Sequence, residues 1–300
     1  MNSFWRYFSI LDKLNTVFLF IIFVFYLFSL PSSPYTFEPL LVFFPAGLSI
    51  FLSVYFRKKK INTGLIKYFR LFYPLIFLFV IFESFFMILP FLNTHRYDSI
   101  LAEIDRNLTG VNPTVWIERF NLPWITDLMY LLYLFYFPMP LFILVWLYKK
   151  KKMEALDQSV FIYMITYYGA YLLYFLIPAA GPRFYEPLIQ LQQKDLNGIL
   201  LSIPIRHLIN FLEPNKLDAF PSLHAAISFT TLLTMARYNK RMFYFFLPVV
   251  TGIFISLIYC RYHYLIDVLA GVIWSAAAFM AGKKYYGKFV AGKTPLLYDQ

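Results

Sequence analysis

The chain has 300 residues, of which 60% are hydrophobic, 22% aromatic and only 14% charged. Soluble domains carry about 25% charged residues, so this composition indicates a protein that crosses a membrane several times. The formal net charge of +11 does not indicate nucleic-acid binding, because the basic residues form short runs between apolar stretches and accompany no base-reading elements.

Eight stretches are apolar and long enough for membrane-spanning helices, since about 20 helical residues cross a bilayer core. In chain order they are 14–30, 39–56, 70–92, 124–148, 159–178, 219–236, 242–260 and 263–282. A signal peptide is the alternative for the first stretch, but no clear A-x-A cleavage site follows it, which favours a retained span. Prolines predict kinks within or near several stretches: Pro45, Pro74, Pro138, Pro140 and Pro248. The predicted fold class is an all-α, polytopic membrane helical bundle.

The charges between these stretches predict the orientation. Loops on one side hold most of the 27 lysines and arginines, for example in the runs 57–60 and 149–152. Such loops face the cytoplasm, so both termini are expected there, in the plasma or inner membrane if the protein is bacterial. The other side holds two long connections, 93–123 and 179–218. The first has an amphipathic composition that suits either an interfacial loop or a substrate lid.

Some polar residues have no motif around them. Glu83 lies inside the third stretch, where an acid is costly without a partner, so we expect it to be protonated and hydrogen-bonded between helices. His95 and His207 lie in loops and are expected to be solvated. Cys260 is the single cysteine, which excludes an internal disulfide and a cysteine-rich metal site, and we expect it to be a packing residue.

A first motif with residues suited to catalysis is Pro221-Ser222-Leu223-His224. Pro221 suits the first turn of a helix, where its missing N–H costs nothing. The hydroxyl of Ser222 and the backbone N–H groups of that turn can bind phosphate oxygens. His224, one turn further on, can protonate a leaving oxygen as a general acid.

A second motif consists of His263 and Asp267. On a helix this spacing puts both side chains on one face, where the carboxylate can hold the imidazole in one tautomer. His263 can then attack phosphorus and form a phosphohistidine. Arg183 and Arg261 can neutralise the oxygens on which charge accumulates. The predicted topology puts Arg183, His224 and this second motif on the non-cytoplasmic side, where we expect the chemistry to take place.

Pro-Ser-x-His at 221–224 and His-x-x-x-Asp at 263–267, with Arg183 upstream, resemble the motifs of the type-2 phosphatidic acid phosphatase superfamily. The residues of these motifs are most similar to those of the inositol phosphorylceramide synthase branch. The resemblance implies two N-terminal helices in 1–62, a six-helix catalytic core in 63–285 and a cytoplasmic tail in 286–300. It also implies a phosphohistidine mechanism with His263 as nucleophile, His224 as acid and no metal or other cofactor.

Three positions depart from the superfamily pattern. Leu176 stands where the first motif has a lysine, and Phe184 follows Arg183 where that motif has a proline. Leu257 stands where the third motif has an arginine, and Arg261 is the candidate to replace it. These departures concern the ligands of the phosphate more than the catalytic pair.

The sequence therefore predicts an integral-membrane enzyme that transfers a phosphoryl or phosphoinositol-type headgroup of a membrane lipid to water or to a lipid alcohol. A lipid phosphate phosphatase, acting on phosphatidic acid or a polyprenyl diphosphate, is the alternative enzyme. A non-catalytic transporter or scaffold is the alternative from another class. The sequence has no visible cluster of carboxylate and histidine ligands of the kind that would indicate a metallophosphatase. No nucleic-acid partner is expected, and the sequence indicates no oligomeric state.

Overall fold

The computed structural model describes residues 5–61, 63–212 and 216–290 of the chain. Within these residues the chain is all-α and contains no strand, which confirms the predicted fold class. Its helices are α1 (Ile10–Ser29), α2 (Glu38–Lys58), α3 (Gly64–Phe82), α4 (Phe85–Leu92), α5 (Asp98–Thr109), α6 (Pro113–Trp116), α7 (Pro123–Phe135), α8 (Pro138–Lys149), α9 (Met153–Leu176), α10 (Glu186–Ile189), α11 (Ser202–Leu212), α12 (Leu223–Tyr238), α13 (Lys240–Tyr259) and α14 (Leu265–Val290).

Five helices of the described part are long and apolar enough to cross a membrane, namely α1, α2, α9, α13 and α14. Two more spans result if each bent pair is taken as one, which gives up to seven rather than about eight. One bend, of 55°, lies within α3, and the other, of 45°, separates α7 from α8. The second bend falls at Pro138, where a proline ring prevents a regular helix from continuing from the preceding turn.

The predicted sixth span, 219–236, explains the lower number. Its helix, α12, has 16 residues and is therefore only about 24 Å long, less than the bilayer core of about 30 Å. It packs against α8, α9, α13 and α14 in the middle of the bundle. Small or hydroxylated side chains allow this close packing: Ala225, Ala226, Ser228, Thr230, Thr231 and Thr234 are buried. Because protein surrounds α12, its length does not have to match the bilayer.

The first predicted span is an integral part of the bundle, since α1 packs against α2, α3, α4 and α9. Asp12 in its first turn is fully buried. The carboxylate pairs with Arg57 and accepts hydrogen bonds from Ser53 and Tyr73, so one acid joins α1, α2 and α3. A buried carboxylate is tolerated here because several donors replace its hydration shell.

The predicted third span is broken. Glu83 and Ser84 separate α3 from α4, and the side chain of Glu83 is exposed, so the expected burial of this acid between helices is wrong. The helix break turns the acid outwards, away from the neighbouring helices. His95 and His207 are exposed and Cys260 is buried, as predicted, but His207 lies on α11 and not in a loop.

The two long connections fold over one end of the bundle. Residues 93–123 contain α5 and α6, and residues 179–218 contain α10 and α11. α5 packs against α14, and α11 packs against α7.

The last helix is longer than the predicted catalytic core allows. α14 continues to Val290, past the predicted end of the core at 285. Residues 291–300 of the predicted tail lie outside the described residues.

Candidate functional site

Three short segments meet at the end of the bundle where α9 ends and where α12 and α14 begin. We name them the arginine loop (177–184), the proline loop (217–222) and the histidine turn (260–264). Backbone hydrogen bonds of 3.0 Å join them in pairs: from Ala219 to Ala179, and from Arg183 to Arg261. The candidate residues are far apart in the sequence, but their backbones form one hydrogen-bonded layer.

Gly181 makes the contact between the arginine loop and the histidine turn possible. Its φ of +86° lies in the left-handed region, and a Cβ atom on it would lie 2.4 Å from the carbonyl oxygen of Tyr262. A side chain here would therefore meet both backbone strain and a steric clash. The absence of a side chain brings Arg183 close to the histidine turn.

The two motif histidines are in direct contact. His224 Nδ1 lies 3.2 Å from His263 Nε2, and His263 Nδ1 lies 2.9 Å from the carbonyl oxygen of Ala219. On the far side of the pair, the hydroxyl of Tyr133 lies 2.9 Å from His224 Nε2. Because a carbonyl only accepts, His263 must donate from Nδ1, which leaves a lone pair on Nε2. That lone pair accepts from His224 Nδ1–H, and Tyr133 donates to His224 Nε2, so one set of tautomers satisfies every contact.

His263 does not lie on a helix, contrary to the sequence prediction. It lies in the histidine turn, and α14 begins two residues later at Leu265. Arg261 adopts a left-handed conformation with φ of 64°, and the N–H groups of Tyr262 and His263 both donate to the carbonyl of Leu257. The tight turn this produces ends α13 and points His263 towards His224.

Asp267 lies in the first turn of α14 and is fully buried. Its Oδ2 accepts a hydrogen bond of 2.8 Å from the backbone N–H of Tyr264 and lies 3.5 Å from His263 Nδ1. The Ala219 carbonyl, at 2.9 Å, is therefore the nearer partner of that nitrogen. Asp267 shapes the backbone of the turn, while the carbonyl of Ala219 selects the tautomer of the imidazole.

The histidine pair lies in the wall of a cavity of about 670 Å³, a volume that includes space open to the surroundings. Arg183 and Asp218 are the charged residues that line it within the described part of the chain. The remaining wall is largely aromatic: Phe79, Phe82, Tyr133, Tyr136, Phe137, Tyr167, Tyr171, Tyr174 and Tyr262. The structure thus brings Arg183, His224 and His263 together in the wall of one largely aromatic cavity.

The guanidinium of Arg183 is held in place by its surroundings. Its central carbon lies 4.0 Å from the ring centroid of Tyr262, and NH1 donates to Asn210 Oδ1 at 3.0 Å. Stacking on an aromatic face leaves the edge of the guanidinium available for hydrogen bonds in the ring plane. The side chain can therefore bind an anion at the cavity without losing these contacts.

Ser222 and Arg261, also predicted as phosphate ligands, do not line this cavity. Ser222 is fully buried and accepts a hydrogen bond from the backbone N–H of Ala225, as the N-cap of α12. Arg261 forms a salt bridge of 2.6 Å with Glu118 and donates to the carbonyl of Lys194. Its guanidinium thus contacts the outer loops instead of the cavity.

Sequence reasoning missed Tyr133, Asp218 and the carbonyl of Ala219. Tyr133 is one of two tyrosines on α7 and one of 25 in the chain, so nothing in its local sequence distinguishes it. A carbonyl carries no sequence signal at all. Asp218 lies four residues before the N-cap Ser222, and its proximity to the motif was the one signal that could have identified it.

The protonation state of His263 leads to a testable prediction. Burial lowers the pKa of His263 well below its usual range, and the neighbouring His224 lowers it further, while the hydrogen bond to Ala219 opposes these effects. The unfolded chain takes up a proton near pH 6.5 and the folded protein does not. Stability is therefore expected to fall as the pH decreases below about 6.5, by at most about 1.4 kcal/mol per pH unit from this group.

Thermal unfolding of the detergent-solubilised protein, followed between roughly pH 7.5 and roughly pH 5, measures this dependence. His263→Gln removes the titrating group and should flatten the acid side of the curve. The same slope in both proteins would show that His263 contributes no linkage.

Gly181→Ala is expected to lower both stability and activity. Backbone strain at a positive φ costs about 1–3 kcal/mol, and the clash with the Tyr262 carbonyl adds to it by separating Arg183 from the histidine turn. Gly110→Ala is the matched control, because Gly110 has a φ of +75° but no atom within 4 Å of the added Cβ. Unfolding and activity assays of both variants separate strain from clash. Equal losses in the two would contradict this reading of the Gly181 contact.

No three histidine, cysteine, aspartate or glutamate side chains among residues 5–61, 63–212 and 216–290 are grouped as a metal ion would require. Besides tyrosine side chains, two imidazoles, one guanidinium and one carboxylate line the cavity. Such groups can supply a nucleophile, a proton donor and an anion contact.

Comparisons with known proteins identify the family. A profile of the PAP2 superfamily matches residues 99–281, which include Arg183, His224, His263 and Asp267. A PA-phosphatase related-family protein of Dictyostelium discoideum is 28% identical over 131 residues, which are 41% of this chain and 23% of that protein. The chain thus spans less than a quarter of that relative's length. No solved structure matches the chain.

These matches confirm the predicted resemblance at the level of the superfamily, while the inositol phosphorylceramide synthase branch stays a prediction. Membership suggests a lipid phosphatase or phosphotransferase activity in the membrane. Because the matched profile covers more than half of the residues, the chain belongs to the PAP2 superfamily.

Proposed function

We propose that this protein transfers a phosphoryl or phosphoinositol-type headgroup of a membrane lipid through a phosphohistidine on His263. The observation that carries the proposal is the contact of 3.2 Å between His224 and His263, with His263 Nδ1 bound to a carbonyl. This arrangement leaves a lone pair on His263 Nε2 that points at the proton donor His224, in the wall of the cavity. Nucleophilic catalysis by an imidazole requires both features.

In the first step, the lone pair of His263 Nε2 attacks phosphorus and forms a P–N bond. The bond from phosphorus to the leaving oxygen breaks, and that oxygen receives a proton from His224, which enters the step as an imidazolium and ends it as a neutral imidazole. The substrate must separate the two imidazoles, since a phosphorus atom does not fit between nitrogens 3.2 Å apart. The imidazole of His224 then moves with the leaving oxygen. The hydroxyl of Tyr133 is the neighbouring group that can keep its hydrogen bond to His224 Nε2 during this movement.

In the second step, a hydroxyl group attacks the phosphohistidine. His224 accepts the proton of this hydroxyl, a new P–O bond forms, and the P–N bond breaks to regenerate His263. A lipid alcohol as acceptor gives a phosphotransferase, and water gives a phosphatase. The two reactions share the chemistry at His263 and differ only in the acceptor that the cavity admits.

The charge balance of the cavity supports a phosphodiester donor. Arg183 is its cationic lining residue within the described part of the chain, and Asp218 adds a carboxylate to the same lining. Leu176 and Leu257 occupy the positions where the superfamily has further cations, and neither lines the cavity. A phosphomonoester dianion needs more positive charge than one guanidinium supplies, whereas a phosphodiester carries a single negative charge.

The shape of the cavity supports a lipid substrate that enters from the side of the bundle. Phe79 lines the cavity and is also 54% exposed on the outer surface of α3. Phe137 and Leu223 line the same space, next to the bend between α7 and α8 and at the start of α12. An acyl chain can lie among these apolar side chains while the headgroup reaches the imidazoles.

The remaining predicted residues act indirectly in this proposal. Asp267 stabilises the histidine turn and the charge that develops on His263, and Ser222 caps the helix that carries His224. Arg261 connects the histidine turn to the outer loops through Glu118. From the distribution of basic loops, we propose that the site faces the non-cytoplasmic side of the membrane and that both termini are cytoplasmic.

The experiment that tests the function uses purified protein and a panel of phospholipids labelled in the headgroup, with and without a lipid alcohol. A new labelled phospholipid is expected only when the alcohol is present, and labelled inositol phosphate or free phosphate would indicate hydrolysis. Neither product from any donor would overturn the proposal. A parallel reaction with EDTA tests the metal-free scheme, which complete loss of activity would contradict.

A further inference from the structure

We propose that Asp98 is a positioning residue of this site: it holds the arginine loop against the histidine turn and so places Arg183 relative to His263. The proposal rests on the proposed function, because it assumes that a phosphate group binds between these two side chains. Asp98 lies at the first residue of α5, in the connection between the predicted third and fourth spans, and it carries no motif.

The contacts of Asp98 reach two of the three segments that form the site. Its Oδ1 accepts hydrogen bonds from the backbone N–H groups of Ala180, at 3.0 Å, and Gly181, at 2.8 Å, and from the hydroxyl of Tyr264 at 3.0 Å. The residue is 5% exposed. One buried carboxylate therefore joins the arginine loop to the residue that follows His263.

A second acid fixes the helix that carries Asp98. Asp105, seven residues later on the same buried face of α5, accepts hydrogen bonds from the N–H groups of Leu265 at 2.7 Å and Ile266 at 2.8 Å. These two donors belong to the first turn of α14, whose orphan N–H groups need acceptors. α5 is thus attached to the first turn of α14 through Asp105, and to the arginine loop and the histidine turn through Asp98.

The geometry explains why a carboxylate is needed at position 98. Without it, the N–H groups of Ala180 and Gly181 lose their acceptor in a buried environment, which costs about 1–3 kcal/mol for each unsatisfied group. The loop can recover this energy only by rotating towards water. Arg183 lies two residues from Gly181, so such a rotation moves its guanidinium away from His263.

A double-mutant cycle with Arg183 tests this inference in the full-length protein. Asp98→Ala is expected to raise KM for the lipid donor and the inhibition constant of orthovanadate, a mimic of the transferring phosphoryl group, each by about 10- to 100-fold. Arg183→Ala should have an effect of similar size. The double variant should lie within about threefold of Arg183→Ala alone, because the two residues act through the same contact.

The control is Asp12→Ala, which removes an equally buried acid at the start of α1, away from the cavity. It is expected to lower the unfolding temperature but to leave KM and vanadate inhibition of the folded protein unchanged. Should Asp98→Ala fail to fold, Asp98→Asn replaces it. An amide oxygen at the Oδ1 position keeps three donors, but the amide nitrogen faces the Ala180 N–H, so a smaller shift in the same direction is expected.

Two results would overturn the inference. One is unchanged vanadate inhibition in the Asp98 variants, and the other is full additivity with Arg183→Ala on the logarithmic scale. Failure of the proposed function has a different signature, since the wild-type protein would then act on no donor and bind no vanadate. An active wild-type protein with additive variants would refute only the role of Asp98.

Discussion

His263→Ala is expected to reduce headgroup transfer by about 10⁴- to 10⁶-fold, because it removes the atom that forms the bond to phosphorus. No other described side chain in the cavity can replace it: the Nε2 lone pair of His263 exists because Nδ1 is bound to the Ala219 carbonyl. His224 occupies the neighbouring position, but its own Nε2 is held by Tyr133. The initial rate with the best phospholipid donor, measured at equal amounts of folded protein, gives the loss directly.

Two further measurements sharpen this test. A labelled donor mixed with wild-type protein and quenched in base should leave label on the protein, and the label should be released by acid, as expected for a P–N bond. His263→Ala should retain none. His207→Ala is the matched control, because His207 lies on α11 at the same end of the bundle and is exposed. More than a tenth of wild-type activity in His263→Ala would refute the covalent mechanism.

His224→Gln is expected to lower the rate by about 10²- to 10⁴-fold with a lipid donor whose leaving alcohol needs a proton. The loss should shrink by about tenfold or more with a p-nitrophenyl donor, because nitrophenolate leaves without protonation. Rates for both donors in wild type and variant give the ratio. Equal losses with the two donors would show that His224 positions the substrate and does not act as its acid.

Tyr133→Phe is the companion variant for His224. It removes the hydroxyl that lies 2.9 Å from His224 Nε2 but keeps the aromatic ring that packs 4.7 Å from the imidazole. A loss much smaller than that of His224→Gln is expected, since the proton donor itself remains. A loss as large as that of His224→Gln would assign the proton transfer to the hydroxyl of Tyr133.

The parts of the fold that follow from composition were predictable. Five long apolar helices were predictable in this way: α1, α2, α9, α13 and α14. Their apolar composition follows directly from the bilayer, because a segment in lipid must form its backbone hydrogen bonds within its own helix. α12 was mispredicted as a full span because its apolar residues face protein. Hydropathy does not distinguish burial in lipid from burial in a bundle.

The site was predictable to a similar degree. Arg183, His224 and His263 are rare polar residues between apolar spans, so their types and positions indicated a shared site, and they line one cavity. Arg261 has the same chemistry, yet its guanidinium pairs with Glu118. The difference arises from one left-handed backbone angle, which no residue type at that position signals.

Read alone, the 300 residues specify a helical membrane bundle and the pair of imidazoles, because hydrophobic length and ionisable side chains are local properties. The tautomer of His263 and the anchoring of Arg183 depend on long-range partners. The carbonyl of Ala219 is 44 positions from His263 along the chain. The carboxylate of Asp98 is 82 and 83 positions from Ala180 and Gly181, whose N–H groups donate hydrogen bonds to it. Such contacts form only when separate helices pack, since a backbone carbonyl looks the same in every sequence until folding places it beside an imidazole.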